Sequence, residues 1–208
     1  MRQISITAIR IRLRSVLSDV SGTAAIEFAY LVPLLMLMTF GTFEMARALM
    51  AHKRFQRATA MVGDLVAREE ELGTTPSEAV SALDGIMRSV QNTMAPYSAT
   101  PLKMGVTQLR ASSTDATKTT VEWSYSYNSM SVMSCGQSKS MPATNMVTAG
   151  NAAIVVEARY QYTPLLTNII PGLITQMNWS DTMTYTPRYG SVFYGQATQN
   201  TKCPPGSG

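Results

Sequence analysis

The sequence predicts an α+β protein in which a long N-terminal helix and a second, short helix precede an antiparallel sheet of about four strands. Three observations lead to this prediction. An uncharged apolar segment lies near the N-terminus, apolar residues then continue at helical spacing, and β-branched and aromatic residues dominate the second half. The chain has 208 residues, which is enough for one packed domain with an anchor.

The first predicted element is a helix around the segment Phe28–Phe43, which contains no charged residue and lies between Glu27 and Glu44. This segment alone is shorter than a typical spanning helix, which has about 18 or more apolar residues. Residues 23–50 together are long enough to cross a bilayer if both glutamates lie near its edges or are paired. From the residues alone, a transmembrane helix, a secretory signal and a buried core helix remain as interpretations.

After this segment, mostly apolar residues follow at steps of three and four, which predicts that the same helix continues. They are Met45, Ala48, Leu49, His52, Phe55, Thr59, Val62 and Val66. We expect the helix to run from Thr23 to about Leu72 and to end at Gly73 as a C-cap. Within it, Pro33 predicts a kink because proline removes a helical hydrogen bond, and Gly41 permits close approach of another helix.

A second helix is predicted to begin at Thr75-Pro76-Ser77-Glu78, which is a capping box with proline at the first helical position. We expect it to run from Pro76 to about Gln91. Its predicted apolar face consists of Val80, Leu83, Ile86, Met87 and Val90.

The rest of the chain is predicted to form the sheet. The segments with strand composition are Lys103–Ala111, Lys118–Tyr127, Ala152–Thr163 and Trp179–Pro187. In the second of them, Val121, Trp123, Tyr125 and Tyr127 alternate with polar residues, which predicts that these four side chains share one face. Residues 130–150 are predicted to form a loop, and residues 164–172 to allow a helical turn.

The formal net charge of +4 is concentrated at the N-terminus. The first 22 residues contain Arg2, Arg10, Arg12 and Arg14 against the single acidic residue Asp19. The remaining chain is nearly neutral, which argues against electrostatic binding to nucleic acid. We therefore expect no nucleic-acid partner.

Few residues are suited to catalysis or to metal binding. The chain has one histidine, His52, and two cysteines, Cys135 and Cys203, which are too few soft ligands for a typical zinc site. Carboxylate chemistry by Glu122 and Glu157 is formally open, but both lie in predicted strands and fit ordinary outward faces. We therefore expect no enzymatic activity, no metal and no cofactor.

The charges around the apolar segment do not decide its orientation. Four arginines precede it, and Arg47, Lys53, Arg54 and Arg57 follow it. The positive-inside rule therefore gives a tie. Ala46-Arg47-Ala48 also has the A-x-A form of a signal-peptidase site, which leaves release after Ala48 open.

The junction Ser21–Phe28 resembles the processing site of type IV pilin-like proteins, particularly the Flp class. Gly22 precedes the cut, and Glu27 and Phe28 occupy the fifth and sixth positions after it. The longer stretch GTAAIEFAYLVPLLMLMTFGTFEMARA resembles the TadE/TadG-like family of the tight-adherence (Tad) pilus. Its landmarks are Gly22, Glu27, Phe28, Pro33, Gly41, Glu44 and Arg47. Residues 155–166 resemble the family less specifically.

The resemblance implies a structural pseudopilin, or minor pilin, that acts in pilus initiation or at the tip and supports adhesion. A prepilin peptidase would cut between Gly22 and Thr23, with Phe28 as part of the recognition motif. Glu27 would then pair with the N-terminal amine of a neighbouring subunit, because an unpaired carboxylate in hydrocarbon costs several kcal/mol. The implied partners are other Tad minor pilins, the major pilin, the peptidase, the inner-membrane assembly platform and membrane lipid.

The resemblance also implies a single-pass protein of the bacterial inner membrane, with a cytoplasmic N-terminus and a periplasmic head, later in the pilus or at the cell surface. The predicted parts are a basic leader (1–22), a transmembrane segment (23–50), a pilin-like head (51–193, with a helix extension at 51–72) and a flexible tail (194–208). Two alternatives remain. One is an uncleaved bitopic TadG-like component of the machinery, and the other is a periplasmic binding protein released after Ala48.

A periplasmic head would lie in an oxidising compartment, which favours a disulfide between Cys135 and Cys203. Such a bond would tie the tail to the long loop and stabilise the fold by a few kcal/mol in the chain-entropy model. The alternative is two unpaired thiols.

Overall fold

The computed structural model describes residues 22–140, 147–168 and 176–194. The helices are α1 (Thr23–Arg68) and α2 (Pro76–Gln91), and the strands are β1 (Lys103–Ala111), β2 (Lys118–Tyr127), β3 (Ser138–Ser140), β4 (Ala152–Tyr162) and β5 (Met177–Tyr185). Two 3₁₀ turns occupy Asn92–Met94 and Leu165–Asn168. The chain divides into two units between Ala46 and Arg47, and the second unit is called the head below.

The predicted α+β class is confirmed. The described strands form one antiparallel sheet in the order β3-β2-β1-β4-β5. It has five strands, whereas about four were predicted. The additional strand, β3, lies in the segment predicted as a loop. Its sequence, Ser138-Lys139-Ser140, has no apolar alternation, and its place in the sheet depends on pairing with the start of β2.

The head core lies between the sheet and the two helices. The side of the sheet that faces α1 and α2 is called the front face, and the opposite side the back face. The buried α1 side chains include Ala48, Ala51, Phe55, Ala58, Thr59, Val62 and Val66. Two residues of the predicted α1 stripe, Met45 and Leu49, are instead 60% and 56% exposed.

The start of α2 follows the predicted capping chemistry. The Thr75 hydroxyl accepts a hydrogen bond from the Glu78 amide at 3.3 Å, and a Glu78 carboxylate oxygen accepts one from the Thr75 amide at 3.2 Å. The buried face of α2 consists of Ala79, Leu83, Met87 and Val90. Val80, which was predicted on this face, is exposed, and Ala79 takes its place.

The end of α1 differs from the prediction. The helix ends at Arg68, because the residues that follow pair with the C-terminal segment. The Leu72 amide donates to the Phe193 carbonyl at 3.0 Å, and the Phe193 amide donates to the Glu70 carbonyl at 3.0 Å. Gly73 is therefore not the C-cap of α1. A Cβ at this position would lie 2.6 Å from the Glu78 Cβ, so glycine permits the tight entry into α2.

The C-terminal segment 187–194 closes the front face of the sheet. The Val192 amide donates to the Gln108 side-chain carbonyl at 2.8 Å, and the Trp123 indole donates to the Val192 carbonyl at 3.0 Å. The Trp123 ring also packs against Tyr194, with ring centroids 5.3 Å apart. Buried polar groups of the sheet are thereby satisfied by backbone from the end of the described chain.

The alternation of side chains along β2 is interrupted by a β-bulge. One β1 residue pairs with Trp123 and the next, Leu109, pairs with Val121, which leaves Glu122 as an extra residue. Trp123 and Tyr125 consequently pack in the main core, whereas Val121 packs with Leu109 in a second cluster. The prediction that Val121 shares a face with Trp123 and the following tyrosines is therefore wrong.

α1 lies against Tyr185 of the edge strand β5 at Gly63. A Cβ on Gly63 would lie 2.0 Å from a ring carbon of Tyr185, whose hydroxyl donates to the Ala60 carbonyl at 3.0 Å. Glycine at this helical position therefore gives the tyrosine ring direct access to the α1 backbone. A larger side chain would displace the ring and break its hydrogen bond.

We predict that Gly63→Ala lowers the free energy of unfolding by about 1–3 kcal/mol, because the added methyl group overpacks a filled contact. Denaturant unfolding of the full chain in nonionic detergent, followed by far-ultraviolet circular dichroism, measures the change. The matched control is Gly85→Ala in α2, where no atom lies within 4 Å of the added Cβ. Alanine is expected to raise stability there by about 1 kcal/mol, since it is the better helix former. Equal effects of the two substitutions would contradict the described packing of Tyr185.

Candidate processing and assembly site

The predicted processing residues lie at the start of α1. Gly22 is the residue immediately before the helix, and Thr23 is its first residue. Gly22, Thr23, Glu27 and Phe28 are all exposed. Because Thr23 and Glu27 are four residues apart in a helix, they lie on the same helical face. A cut between Gly22 and Thr23 would therefore place a new amine and the Glu27 carboxylate on one face of α1.

Around Glu27, the α1 surface is apolar and open. α1 is the one helix among the described residues that is long and apolar enough to cross a membrane, with a mean hydropathy of 1.7 over its most apolar window. Its exposed apolar residues before the head are Ile26, Phe28, Tyr30, Leu31, Leu34, Leu35, Met36, Leu37, Met38, Phe40, Phe43 and Met45. Such a surface suits lipid better than water, which is consistent with single-pass membrane anchoring.

Two threonine hydroxyls in the apolar part of this helix donate hydrogen bonds to its own backbone. The Thr39 hydroxyl donates to the Leu35 carbonyl at 2.7 Å, and the Thr42 hydroxyl donates to the Thr39 carbonyl at 2.9 Å. Pro33 lies inside α1, which continues without interruption on both sides of it. Gly41 has no atom within 4 Å of the position that a Cβ would take. It leaves a flat, open position to which a second helix backbone can come close.

The two glutamates that border the apolar segment differ. Glu44 is only 9% exposed. Glu27 is exposed, and no described residue forms a hydrogen bond or an ion pair with its carboxylate. In hydrocarbon such a carboxylate is unfavourable until a cation or a hydrogen-bond donor is supplied.

The carboxylates considered for catalysis are engaged in ion pairs on the sheet. Glu122 pairs with the Arg110 guanidinium and accepts a hydrogen bond from the Gln108 amide at 2.6 Å. Glu157 pairs with the Lys139 ammonium at 2.6 Å. These partners give both carboxylates a structural role in joining strands.

The pKa shifts in the head follow from packing and capping. Burial raises the pKa of Tyr125, and the hydrogen bond from its hydroxyl to Asp84 raises it further. Burial also raises the pKa of Tyr160, whose hydroxyl donates to the Ser98 carbonyl at 2.8 Å. The hydrogen bond from the Thr74 hydroxyl is the main reason that the pKa of Glu78 is lowered. These groups are donors and caps of the fold, far in sequence from the processing junction.

The histidine and the two cysteines that the sequence singled out lie in different parts of the chain. His52 packs edge-on against Trp179, with ring centroids 4.9 Å apart, which gives it a place in an aromatic cluster. Cys135 is partly exposed in the turn before β3. Cys203 lies outside the described residues, so the predicted disulfide remains a prediction.

A cavity of about 440 Å³ at one edge of the head was not predicted from the sequence. It is lined by Pro101, Lys103, Arg159, Tyr160, Gln161, Asn178, Trp179 and Ser180. These residues come from three separate stretches of the chain, so no local motif contains them. Only the register of β4 against its neighbours brings the two cations, Lys103 and Arg159, together.

Residues 22–64 match the family model described as TadE-like protein. The match begins at Gly22, directly before α1, and ends within α1 in the head. No curated protein and no solved structure matches the chain. A TadE-like segment supports a minor pilin-like role associated with a Tad pilus. The stretch 22–64 of this chain is therefore TadE-like, in agreement with the resemblance predicted from its landmarks.

Proposed function

We propose that this chain is a minor pilin-like subunit of a bacterial Tad pilus that a prepilin peptidase cleaves between Gly22 and Thr23. The observation that carries the proposal is the coincidence of two boundaries, since the TadE-like match begins at Gly22 and α1 begins at Thr23. The four leader arginines end before the same junction. A cut there would remove the basic leader and leave α1 whole.

The junction has the local properties that cleavage requires. Gly22 has no atom within 4 Å of its Cβ position and is exposed, so the peptide bond that follows it is not covered by the described residues. A bulky side chain at this position would fill space that a peptidase must occupy to reach the bond.

Glu27 supplies the proposed assembly contact. Cleavage creates a positive charge on the Thr23 amine, and a neighbouring subunit brings its own amine into the same apolar environment. Pairing that amine with Glu27 removes the cost of an isolated carboxylate in hydrocarbon. Because the pairing fixes one axial offset between two helices, it favours a single register in the fibre.

The position of the Ala48–Leu49 peptide bond argues against the alternative of release after Ala48. Ala48 is 5% exposed and packs in the head core. The Arg47 carbonyl accepts a hydrogen bond from the Tyr97 hydroxyl at 3.1 Å, and the Arg47 guanidinium lies 5.9 Å from the centre of the Tyr97 ring. A cut after Ala48 would remove both residues and expose core surface.

The proposed cellular role follows from these assignments. The protein is inserted in the inner membrane with its N-terminus in the cytoplasm and its head in the periplasm. After processing it joins other minor pilins and the major pilin on the assembly platform, at the start or the tip of an adhesive pilus. The function is structural, without a catalytic site. The uncleaved bitopic form is the remaining alternative, and the identity of the N-terminal residue distinguishes the two.

We predict that Gly22→Leu blocks processing and leaves the full-length form in the cell. N-terminal sequencing of a C-terminally tagged product measures the outcome directly, because a cut at the proposed bond gives Thr23 as the first residue. Retention of the leader gives Met1, and release by signal peptidase gives Leu49.

The control for this experiment is Gly41→Leu, which adds the same side chain at an open position of the same helix. It is expected to be processed normally. Normal processing of Gly22→Leu, or a wild-type product that begins at Met1, would contradict the proposed cleavage.

We predict that Glu27→Gln is still cleaved but assembles few or no pili, because the amide keeps the size of the side chain and loses its charge. Pili counted by electron microscopy, together with sheared-fibre blots, measure assembly. Glu70→Gln makes the same chemical change at an exposed position outside the apolar segment and is expected to assemble normally. Wild-type piliation by Glu27→Gln would remove the pairing role.

A further inference from the structure

The cavity found on the sheet carries positive charge without an internal counter-charge. Lys103 on β1 and Arg159 on β4 are direct cross-strand partners, and both are exposed. Like charges in directly opposite positions destabilise a sheet. Among the described residues, neither side chain forms an ion pair, and no carboxylate lines the cavity. An anion in the cavity would relieve this repulsion.

Neutral hydrogen-bonding groups surround the two cations on the same face of the sheet. The register pairs Ser180 of β5 with Arg159, so Lys103, Arg159 and Ser180 form one row across three strands. Asn178 pairs with Gln161 in the next row of that face. Two cations, a hydroxyl and two amides thus converge on one space of about 440 Å³.

On the opposite, front face of the same strands, aromatic side chains pack closely. The Trp179 ring stacks on Tyr162 with an interplanar angle of 11° and on Tyr160 with one of 22°. The Gln161 amide donates to the Gln176 side chain at 2.8 Å and to Asn178 at 3.3 Å. These contacts hold the polar lining in place without a ligand, which reduces the entropic cost of binding one.

The cavity lies at the end of the head that contains Arg47. Pro101 lines the cavity and belongs to the loop between α2 and β1, in which the Tyr97 hydroxyl bonds to the Arg47 carbonyl. The first turns of α1 in the head carry Arg47, Lys53, Arg54 and Arg57. No acidic residue occurs between Met45 and Gly63. This end of the head therefore attracts anions.

We propose that this cavity binds a phosphate ester, with Lys103 and Arg159 holding its oxygens and Ser180, Asn178 and Gln161 donating or accepting hydrogen bonds around it. Arginine and lysine together are a favourable pair for phosphate, since the guanidinium donates two parallel hydrogen bonds and the ammonium acts as a point charge. A phospholipid headgroup and a soluble phosphate ester share this chemistry. The site does not depend on cleavage at Gly22 or on pilus assembly. The proposed phosphate site and the proposed pilin function can therefore be contradicted independently of each other.

The test uses the two tryptophans of the chain as reporters. The full chain is labelled with ¹⁵N in nonionic detergent and titrated with dihexanoylphosphatidylglycerol in one arm and with glycerol 3-phosphate in the other. We expect the backbone amide signal of Trp179, whose neighbours Asn178 and Ser180 line the cavity, to shift and saturate. The Trp123 indole is buried and bonded to Val192, so its signal is expected to stay in place. Saturation by the lipid alone assigns the site to headgroups, and saturation by both assigns it to phosphate esters in general.

The double variant Lys103→Gln/Arg159→Gln is expected to bind at least about tenfold more weakly, because two charge-assisted contacts are lost. The control Lys118→Gln/Arg188→Gln removes the same two charge types at exposed positions outside the cavity and is expected to bind within about twofold of the wild type. An unchanged Trp123 signal in both variants shows that the fold is kept. Absence of a saturable Trp179 shift in both arms, or equal weakening by the two double variants, would overturn the proposal.

Discussion

The architecture of the head depends on the close contact between α1 and the sheet, which small side chains on α1 make possible. Ala51 and Ala58 of α1 are fully buried, and the Cβ position of Gly63 lies against the Tyr185 ring. Because Gly63 has no side chain, Tyr185 of the sheet reaches the helix backbone, where its hydroxyl donates to the Ala60 carbonyl. Phe55 is the large exception, and it packs against Tyr160 and Trp179, with ring centroids 5.9 and 6.5 Å away. Large and small side chains therefore alternate across the interface, as a dense core requires.

This contact also explains how the remaining segments are held. The Arg188 amide donates to the Ala67 carbonyl at 2.9 Å, close to the last turn of α1, so a free carbonyl of the helix end is satisfied by the returning C-terminal segment. The same segment then bonds to Gln108 and Trp123 on the sheet. One stretch of chain without regular structure thus joins the end of the long helix to the centre of the sheet.

Local rules explain which features could be predicted from the sequence. The capping box at Thr75 fixes where α2 begins, and strand-forming composition predicted β1 and β2 with the bounds that they have. The end of α1 and the face of Val121 were mispredicted, because the first depends on Phe193 and the second on one extra residue in β2. The segment 22–28 was recognisable because its chemistry lies in consecutive residues. The cavity was not, because strand register alone brings its cations together.

Charged groups without a partner among the described residues lie at the two places for which a function is proposed. On the sheet, Glu122 and Glu157 each have a cationic partner within the chain, so their desolvation is compensated in the isolated subunit. Glu27 in the apolar segment and the pair Lys103 and Arg159 have no such compensation among the described residues. Each arrangement is less favourable alone than with an external ion, and the missing charge has opposite sign in the two places. In the proposals above, a neighbouring N-terminal amine satisfies the first, and a phosphate satisfies the second. At Glu27 the proposed gain in electrostatic free energy requires both cleavage and a neighbour at the matching axial offset, which opposes association in the wrong register, whereas the gain at the cavity requires neither.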